Sequence, residues 1–290
     1  MQFSLNPYQG CEHGCIYCYA RNTHEYWGYS AGLDFERKII VKENAPKLLQ
    51  QFFNRKSWKP TAISLSGNTD CYQPIERKKK LTRQLLEICL NHRNPVGIIT
   101  KNALVLRDLD ILEELAQRKL AQVFVSITGT DEAMRLQLEP RTSTYKTRFQ
   151  ILETLAKKNI PCGIMNAPII PGLNDTQMHE VLKQSAHAGA SWAGYTIVRL
   201  NGAVAEIFDD WVHKTFPESA QKIMHHIAAC HGNQLNDSRI GVRMRGEGTI
   251  AEIIRNQFKL YCKKYSLNQQ KFMFNTNEFR RVPEGQQLLF

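Results

Sequence analysis

No run of about 18 apolar residues occurs anywhere in the 290-residue chain, and a membrane-spanning helix needs roughly that many. A membrane-embedded function is therefore not expected. The opening stretch, Met1-Gln2-Phe3-Ser4-Leu5, lacks the charged and apolar regions of a secretory leader. The chain shows no short internal repeat, linker or low-complexity tract, so a repeat array is not expected either. Eight cysteines without a leader fit a reducing cytoplasm, where they act as ligands or as plain apolar residues.

What the chain does have is core material. Hydrophobic residues make up 42% and charged residues 22%, the balance of a globular protein. The length suits one α/β domain of barrel type or two smaller domains. The net charge is +11. Residues 1–100 carry 14 basic against 8 acidic side chains, residues 101–200 carry 12 against 10, and residues 201–290 carry 12 against 9. The excess leans to the first third, where Arg77-Lys78-Lys79-Lys80 and Arg83 form the densest run. A basic surface attracts polyanions such as nucleic acid. A charge run at a helix start is more often a solvated face.

Strands and helices alternate along the first 200 residues. Short apolar runs predict strands at 4–8, 62–66, 95–100, 123–128, 162–170 and 193–200. Helical spacing predicts helices at 46–54, 77–92, 108–119, 145–158 and 175–188. Residues 38–42 form a short extended piece, and residues 21–35 a lid or loop. Such alternation implies a parallel sheet with right-handed crossovers. Six units fall short of the eight that close a barrel. The expected fold is α/β, a partial (β/α)6 TIM-like barrel over residues 1–200. Residues 201–290 break the rhythm and form a helical C-terminal extension, with helices at 208–214, 218–230 and 249–265. The irregular end, 279–290, is expected to dock on the barrel.

The chemistry begins at Cys11-Glu12-His13-Gly14-Cys15-Ile16-Tyr17-Cys18. Three cysteines stand at C-x3-C-x2-C spacing, and the next is Cys71. Thiolates are the ligands of iron–sulfur clusters, and three of them would leave one iron of a cubane open. The same three thiols could belong to a zinc site completed by His13 or His24. Structural zinc is four-coordinate, and His13 lies inside the loop, a poor place to close a tetrahedron. A disulfide is not expected in a reducing compartment.

The strand ends supply further candidates. Ser66-Gly67-Asn68-Thr69-Asp70-Cys71 follows the second strand. Gly67 allows close backbone approach to a ligand, and Thr69 with Asp70 offers an acceptor pair; a simple turn would use the same residues. Thr100-Lys101 ends the third strand, Ser126 lies at the end of the fourth, and Glu139-Pro140-Arg141-Thr142 follows it. Asn166-Ala167-Pro168-Ile169-Ile170-Pro171-Gly172-Leu173-Asn174-Asp175 follows the fifth, and Arg199 and Asn201 end the sixth. Ligand groups in such folds sit on loops at the carboxyl ends of strands.

This series resembles the radical S-adenosylmethionine (SAM) superfamily, and within it the spore photoproduct lyase-like branch, over residues 4–200. The resemblance implies a [4Fe–4S] cluster on Cys11, Cys15 and Cys18, with SAM on its open iron. It implies adenine contact by Tyr17 and binding of the methionyl part of SAM by Thr69, Asp70, Lys101 and Ser126, with Gly67 beside them. It implies reductive cleavage of SAM to a 5′-deoxyadenosyl radical, a one-electron donor (flavodoxin or ferredoxin) as partner, a lyase-like reaction and a nucleic-acid substrate. One departure bears on the substrate. The branch's lyase carries a cysteine, its hydrogen donor, just before the turn, where this chain has Gly67 and Asn68. Cys71, just after the turn, is the candidate for that role, or else a buried apolar residue. No flavin motif supports light-driven chemistry. Tyr19, Arg21, His24, Tyr26 and Trp27 are candidates for the substrate side. A non-catalytic iron–sulfur protein for electron transfer or sensing, and a zinc-bearing nucleic-acid-binding module, are the alternatives.

Overall fold

The computed structural model describes residues 3–282. In chain order the strands are β1 (Phe3–Leu5), β2 (Tyr8–Gln9), β3 (Ile40–Val41), β4 (Ile63–Leu65), β5 (Val96–Thr100), β6 (Ala121–Ser126), β7 (Cys162–Ile169) and β8 (Trp192–Ile197). The helices are α1 (Leu33–Arg37), α2 (Ala45–Asn54), α3 (Glu76–Lys79), α4 (Leu81–His92), α5 (Leu109–Gln117), α6 (Glu132–Leu138), α7 (Tyr145–Lys157), α8 (Met178–His187), α9 (Ala203–Thr215), α10 (Ala220–Ala229) and α11 (Gly248–Lys264).

Six strands form one sheet in the order β1-β4-β5-β6-β7-β8, and every pairing in it is parallel. The order runs with the sequence, as repeated right-handed crossovers dictate. β1 and β8 remain edges, so the barrel does not close. The central strands are apolar almost throughout because helices cover the sheet. Val96, Ile98, Val123, Val125 and Ile164 are fully buried and share one core with Leu85, Leu112, Leu152 and Leu182 from the helices.

The C-terminal helices join the same packing. Ala251, Ile254, Phe258 and Cys262 of α11 enter the main core. Val204, Phe208 and Val212 of α9, with Ile223 and Ile227 of α10, form a second apolar cluster with Cys15 and Tyr17. No helix among the described residues is long and apolar enough to cross a membrane.

Several elements differ from the sequence expectation. The single strand expected at 4–8 is two. β1 pairs with β4, whereas β2 turns away and pairs antiparallel with β3. Pro7, between them, has no N–H to continue a ladder. The helix expected at 77–92 breaks at Lys80, whose φ is 52°. The break lets the buried Glu76 carboxylate accept the Thr82 N–H at 3.1 Å and the Tyr8 hydroxyl. The segment expected as loop at 21–35 contains most of a 3-10 helix, Tyr19–Trp27. Helix α6 was not expected; its cap is Asp131, whose carboxylate accepts Ala133 N–H at 2.8 Å and Met134 N–H at 3.2 Å. Phe279 packs against the main core and Val282 is buried. The rest of the expected docking end, 283–290, lies outside the described residues.

Candidate functional site

A cavity of about 240 Å³ opens at the carboxyl ends of the strands. Cys11, Cys15 and Cys18 line it together with Tyr17, Thr69, Asp70, Lys101 and Ser126. Residues from the cysteine loop, the loop after β4, and β5, β6, β7 and β8 thus meet at one place, although the sequence spreads them over more than 180 positions.

The cysteine loop is held from several sides. Cys11 N–H donates to Phe35 O at 2.9 Å and Ile16 N–H to Leu138 O at 3.0 Å. Glu12 N–H donates to Gln73 Oε1 at 3.0 Å, and Gln73 Nε2 donates to Gly10 O at 3.0 Å. The Glu12 carboxylate accepts Ile75 N–H at 2.6 Å. Arg21 is fully buried and donates to Cys15 O at 3.0 Å, Ala31 O at 3.0 Å and Glu36 Oε1 at 2.6 Å. Gly14 has φ +68°, and a Cβ there would run into Arg141 and Glu36. Only glycine fits the turn without strain.

The three thiols are free. Burial raises each of them, Cys15 to about 12. Bare thiolates are unfavourable in such a place, and iron bound there would supply the compensating positive charge. The donor set, three thiols of one loop on one cavity wall, fits an iron–sulfur cluster. Among the described residues no group of three or more His, Cys, Asp or Glu is arranged to hold a single metal ion.

Beneath the thiols lies a buried polar network. Glu139 and Arg148 are both fully buried, with Arg148 Nη2 2.5 Å from Glu139 Oε2. The Tyr17 hydroxyl donates to Glu139, Thr128 Oγ1 donates at 3.1 Å, and Lys101 Nζ stands 3.7 Å from Glu139 Oε1. Burial opposes charge on Glu139, yet the Arg148 and Lys101 charges outweigh it, and its carboxyl falls to about 2. Lys101 Nζ also stands 5.5 Å from the centre of the Tyr17 ring.

Asp70 is tied to its surroundings. It accepts Tyr72 N–H at 2.9 Å, Thr100 Oγ1–H at 2.8 Å and Lys101 N–H at 2.8 Å, and His13 Nδ1 lies 3.6 Å away. Thr69 Oγ1 donates to Tyr8 O at 2.6 Å. Both residues still face the cavity. Ser126 lies on its wall at the end of β6, and its carbonyl accepts Arg148 Nη1 at 3.0 Å.

Gly67 and Cys71 do not reach the cavity. Gly67 is beside it rather than on its lining; its carbonyl accepts the Tyr19 hydroxyl at 2.9 Å, and a Cβ would meet Ser4 Cβ at 2.6 Å. Cys71 is fully buried in the main core, away from the lining. Burial, more than the nearby Asp70, pushes its thiol well up. Cys71, the candidate hydrogen donor, is therefore not on the cavity wall, whereas Asn68, just before the turn, is. Of the substrate-side candidates, Tyr19 lines the cavity, Arg21 and His24 are buried behind the loop, and Tyr26 and Trp27 point to solvent. Met165, Thr196 and Met244 line the cavity without having been singled out in the sequence. His13, weighed there as a zinc ligand, and Pro168, part of a strand-end loop, line it too.

The fold and the cavity define a parallel α/β protein whose three-cysteine loop faces the strand ends. The model of the Radical SAM superfamily matches residues 5–184, more than half of the chain. The chain belongs to the radical SAM superfamily. An uncharacterized protein of Mycobacterium tuberculosis is 32% identical over 219 residues, 75% of this chain and 64% of the relative. An uncharacterized protein of Methanocaldococcus jannaschii is 31% identical over 176 residues, 61% of this chain and 63% of the relative. The chain thus spans just under two thirds of these relatives' length. Spore photoproduct lyase complexed with dinucleoside spore photoproduct has a similar fold, with TM-score 0.61 and 16% identity over 89% of this chain and 72% of that one. A variant of that lyase with bound AdoMet and dinucleoside spore photoproduct gives TM-score 0.59 at 16% identity, over 90% of this chain and 73% of that one.

Proposed function

We propose that the chain is an enzyme that cleaves SAM reductively at a [4Fe–4S] cluster held by Cys11, Cys15 and Cys18. The observation that carries this is the placement of three thiols of one loop on the same cavity wall as Asp70, Lys101 and Ser126. When bound, the cluster and SAM supply a 5′-deoxyadenosyl radical that abstracts hydrogen from a substrate.

The chain's own residues bind and orient. Lys101 offers a cation for the SAM carboxylate, and Asp70 with Thr69 faces its ammonium group. Ser126 adds a hydroxyl, and Tyr17, fixed through Glu139, contacts the adenine. The apolar wall of Met165, Ile197 and Val198 excludes water. A flavodoxin or ferredoxin delivers the electron, in the reducing cytoplasm. The substrate is nucleic acid and the reaction lyase-like, a reading supported by the +11 charge and the likeness of fold. Residues 1–200 act as the catalytic core and residues 201–290 as its helical extension. Cys71 is not assigned a step.

The test is anaerobic. Reconstituted, dithionite-reduced protein is incubated with SAM and 5′-deoxyadenosine is quantified. Its formation supports the reading, and protein that carries a full cubane yet forms none argues for an electron-transfer or sensor role.

A further inference from the structure

Every residue assigned above to the cluster or to SAM lies within residues 5–184, the span of the superfamily match. One guanidinium group reaches the same cavity from outside that span, and the charge of a second acts on it. Arg199, just past β8, lines the wall. Arg243 precedes Met244, which also lines it. The Ile197 N–H donates to Met244 O at 3.0 Å, so residues 243–245 are fastened alongside the end of β8.

Arg199 is half-buried, with its Cζ 5.4 Å from the centre of the Tyr19 ring. Tyr19 is itself fixed by its bond to Gly67 O. Among the described residues, neither Arg199 nor Arg243 has a carboxylate within 4.0 Å, and neither side chain donates a hydrogen bond. The contrast with Arg21, Arg107, Arg135, Arg141 and Arg148 is complete, since each of those is bound to an acid or a carbonyl. Burial first, and the Arg243 charge second, hold the Arg199 guanidinium below its usual range. Two cations close enough for one to act on the other repel until an anion joins them.

We infer that Arg199 and Arg243 form an oxyanion subsite that takes a phosphodiester group of the substrate and positions the adjoining part over the cavity. The guanidinium fork matches phosphate oxygens two at a time. Contacts of this kind set register and orientation rather than sequence. The overall charge of +11 favours a polyanion over a lone carboxylate. The inference rests on the cavity being the reaction site, and assigns substrate holding to residues beyond the shared domain.

The experiment uses full-length, anaerobically reconstituted protein and a fluorescein-labelled single-stranded oligonucleotide, followed by anisotropy over a salt series. Arg199→Gln with Arg243→Gln is expected to weaken binding about tenfold or more and to lower the slope of log K against log salt by about one to two. Arg199→Lys, which keeps the charge but loses the fork, is expected to fall between. Arg77→Gln with Lys78→Gln removes the same charge away from the cavity and is expected to leave the slope unchanged. Equal loss from that control pair, an unchanged double variant, or wild-type protein without salt-dependent binding overturns the inference. Citrate displacing the oligonucleotide as well as a dinucleoside monophosphate does assigns the subsite to carboxylates and also overturns it. Labelled SAM retention and visible absorbance are read on every variant; if Arg199→Lys also loses both, Arg199 is a structural residue and the subsite is refuted. Wild-type protein that binds the oligonucleotide through these arginines but holds no cluster refutes the cofactor reading and leaves the subsite standing.

Discussion

Arg148 Nη2 lies 2.5 Å from Glu139 Oε2, and neither side chain is exposed to solvent. The pair joins α7 to the segment after α6, and through Tyr17 it reaches the cysteine loop, 122 residues away in sequence from Glu139. Removing one member of a buried pair leaves an uncompensated charge, which costs roughly 3–5 kcal/mol. Glu139→Gln is therefore expected to be strongly destabilised in urea titration, and to release Tyr17 and Lys101 as well. A variant within about 1 kcal/mol of wild type would show that the pair does not hold the loop.

The same carboxylate sets an acid limit. Its folded value, about 2, lies below its ordinary value near 4.5. A depressed carboxyl contributes stability that is fully present above 4.5 and is lost as pH falls toward 2. The contribution is roughly 3 kcal/mol. Stability measured between pH 5 and pH 2 should fall more steeply in wild type than in Glu139→Gln. Parallel curves would contradict the assignment.

Each of Cys11→Ala, Cys15→Ala and Cys18→Ala is expected to abolish cluster binding, seen as lost iron, sulfide and brown absorbance after anaerobic reconstitution, and with it all 5′-deoxyadenosine. Retained cluster chemistry in any one of the three would remove that cysteine from the ligand set.

Lys101→Met is expected to raise the Kd for SAM about tenfold, the equivalent of ~1.4 kcal/mol, in equilibrium dialysis with labelled SAM. An unchanged Kd would mean that Lys101 serves Glu139 alone.

Cys71→Ala is expected to behave as a core substitution. Stability should fall by roughly 1–2 kcal/mol, with 5′-deoxyadenosine formation kept. Loss of label return from substrate to product in an otherwise stable variant would restore the hydrogen-donor role.

How much of this was legible in the sequence follows from the range of each interaction. The thiol loop is local, and its spacing announced it. Val96–Thr100 and Cys162–Ile169 are apolar runs bounded by turn residues, so the strands and their order were readable. The helix break at Lys80 was not, because Leu81, Leu85 and Ile88 continue the periodicity and no glycine or proline marks the kink. A tertiary bond to Glu76 decides it. Helix α6 left only Asp131 as a signal. Glu139 stood in plain view beside Pro140, but its partners Tyr17 and Lys101 come from two distant segments and Arg148 from the following helix. Met244 reaches the cavity from a stretch with no motif at all.

The fastening of the cysteine loop by Phe35, Gln73, Ile75, Leu138 and Arg21 has a bearing on assembly. A scaffold pinned at so many points by ordinary peptide and side-chain contacts is a mould that stands before casting, unlike small metallo-domains that stay unfolded without their ion. Chelation should strip colour while circular dichroism barely changes, so iron loading becomes an insertion event rather than a folding event.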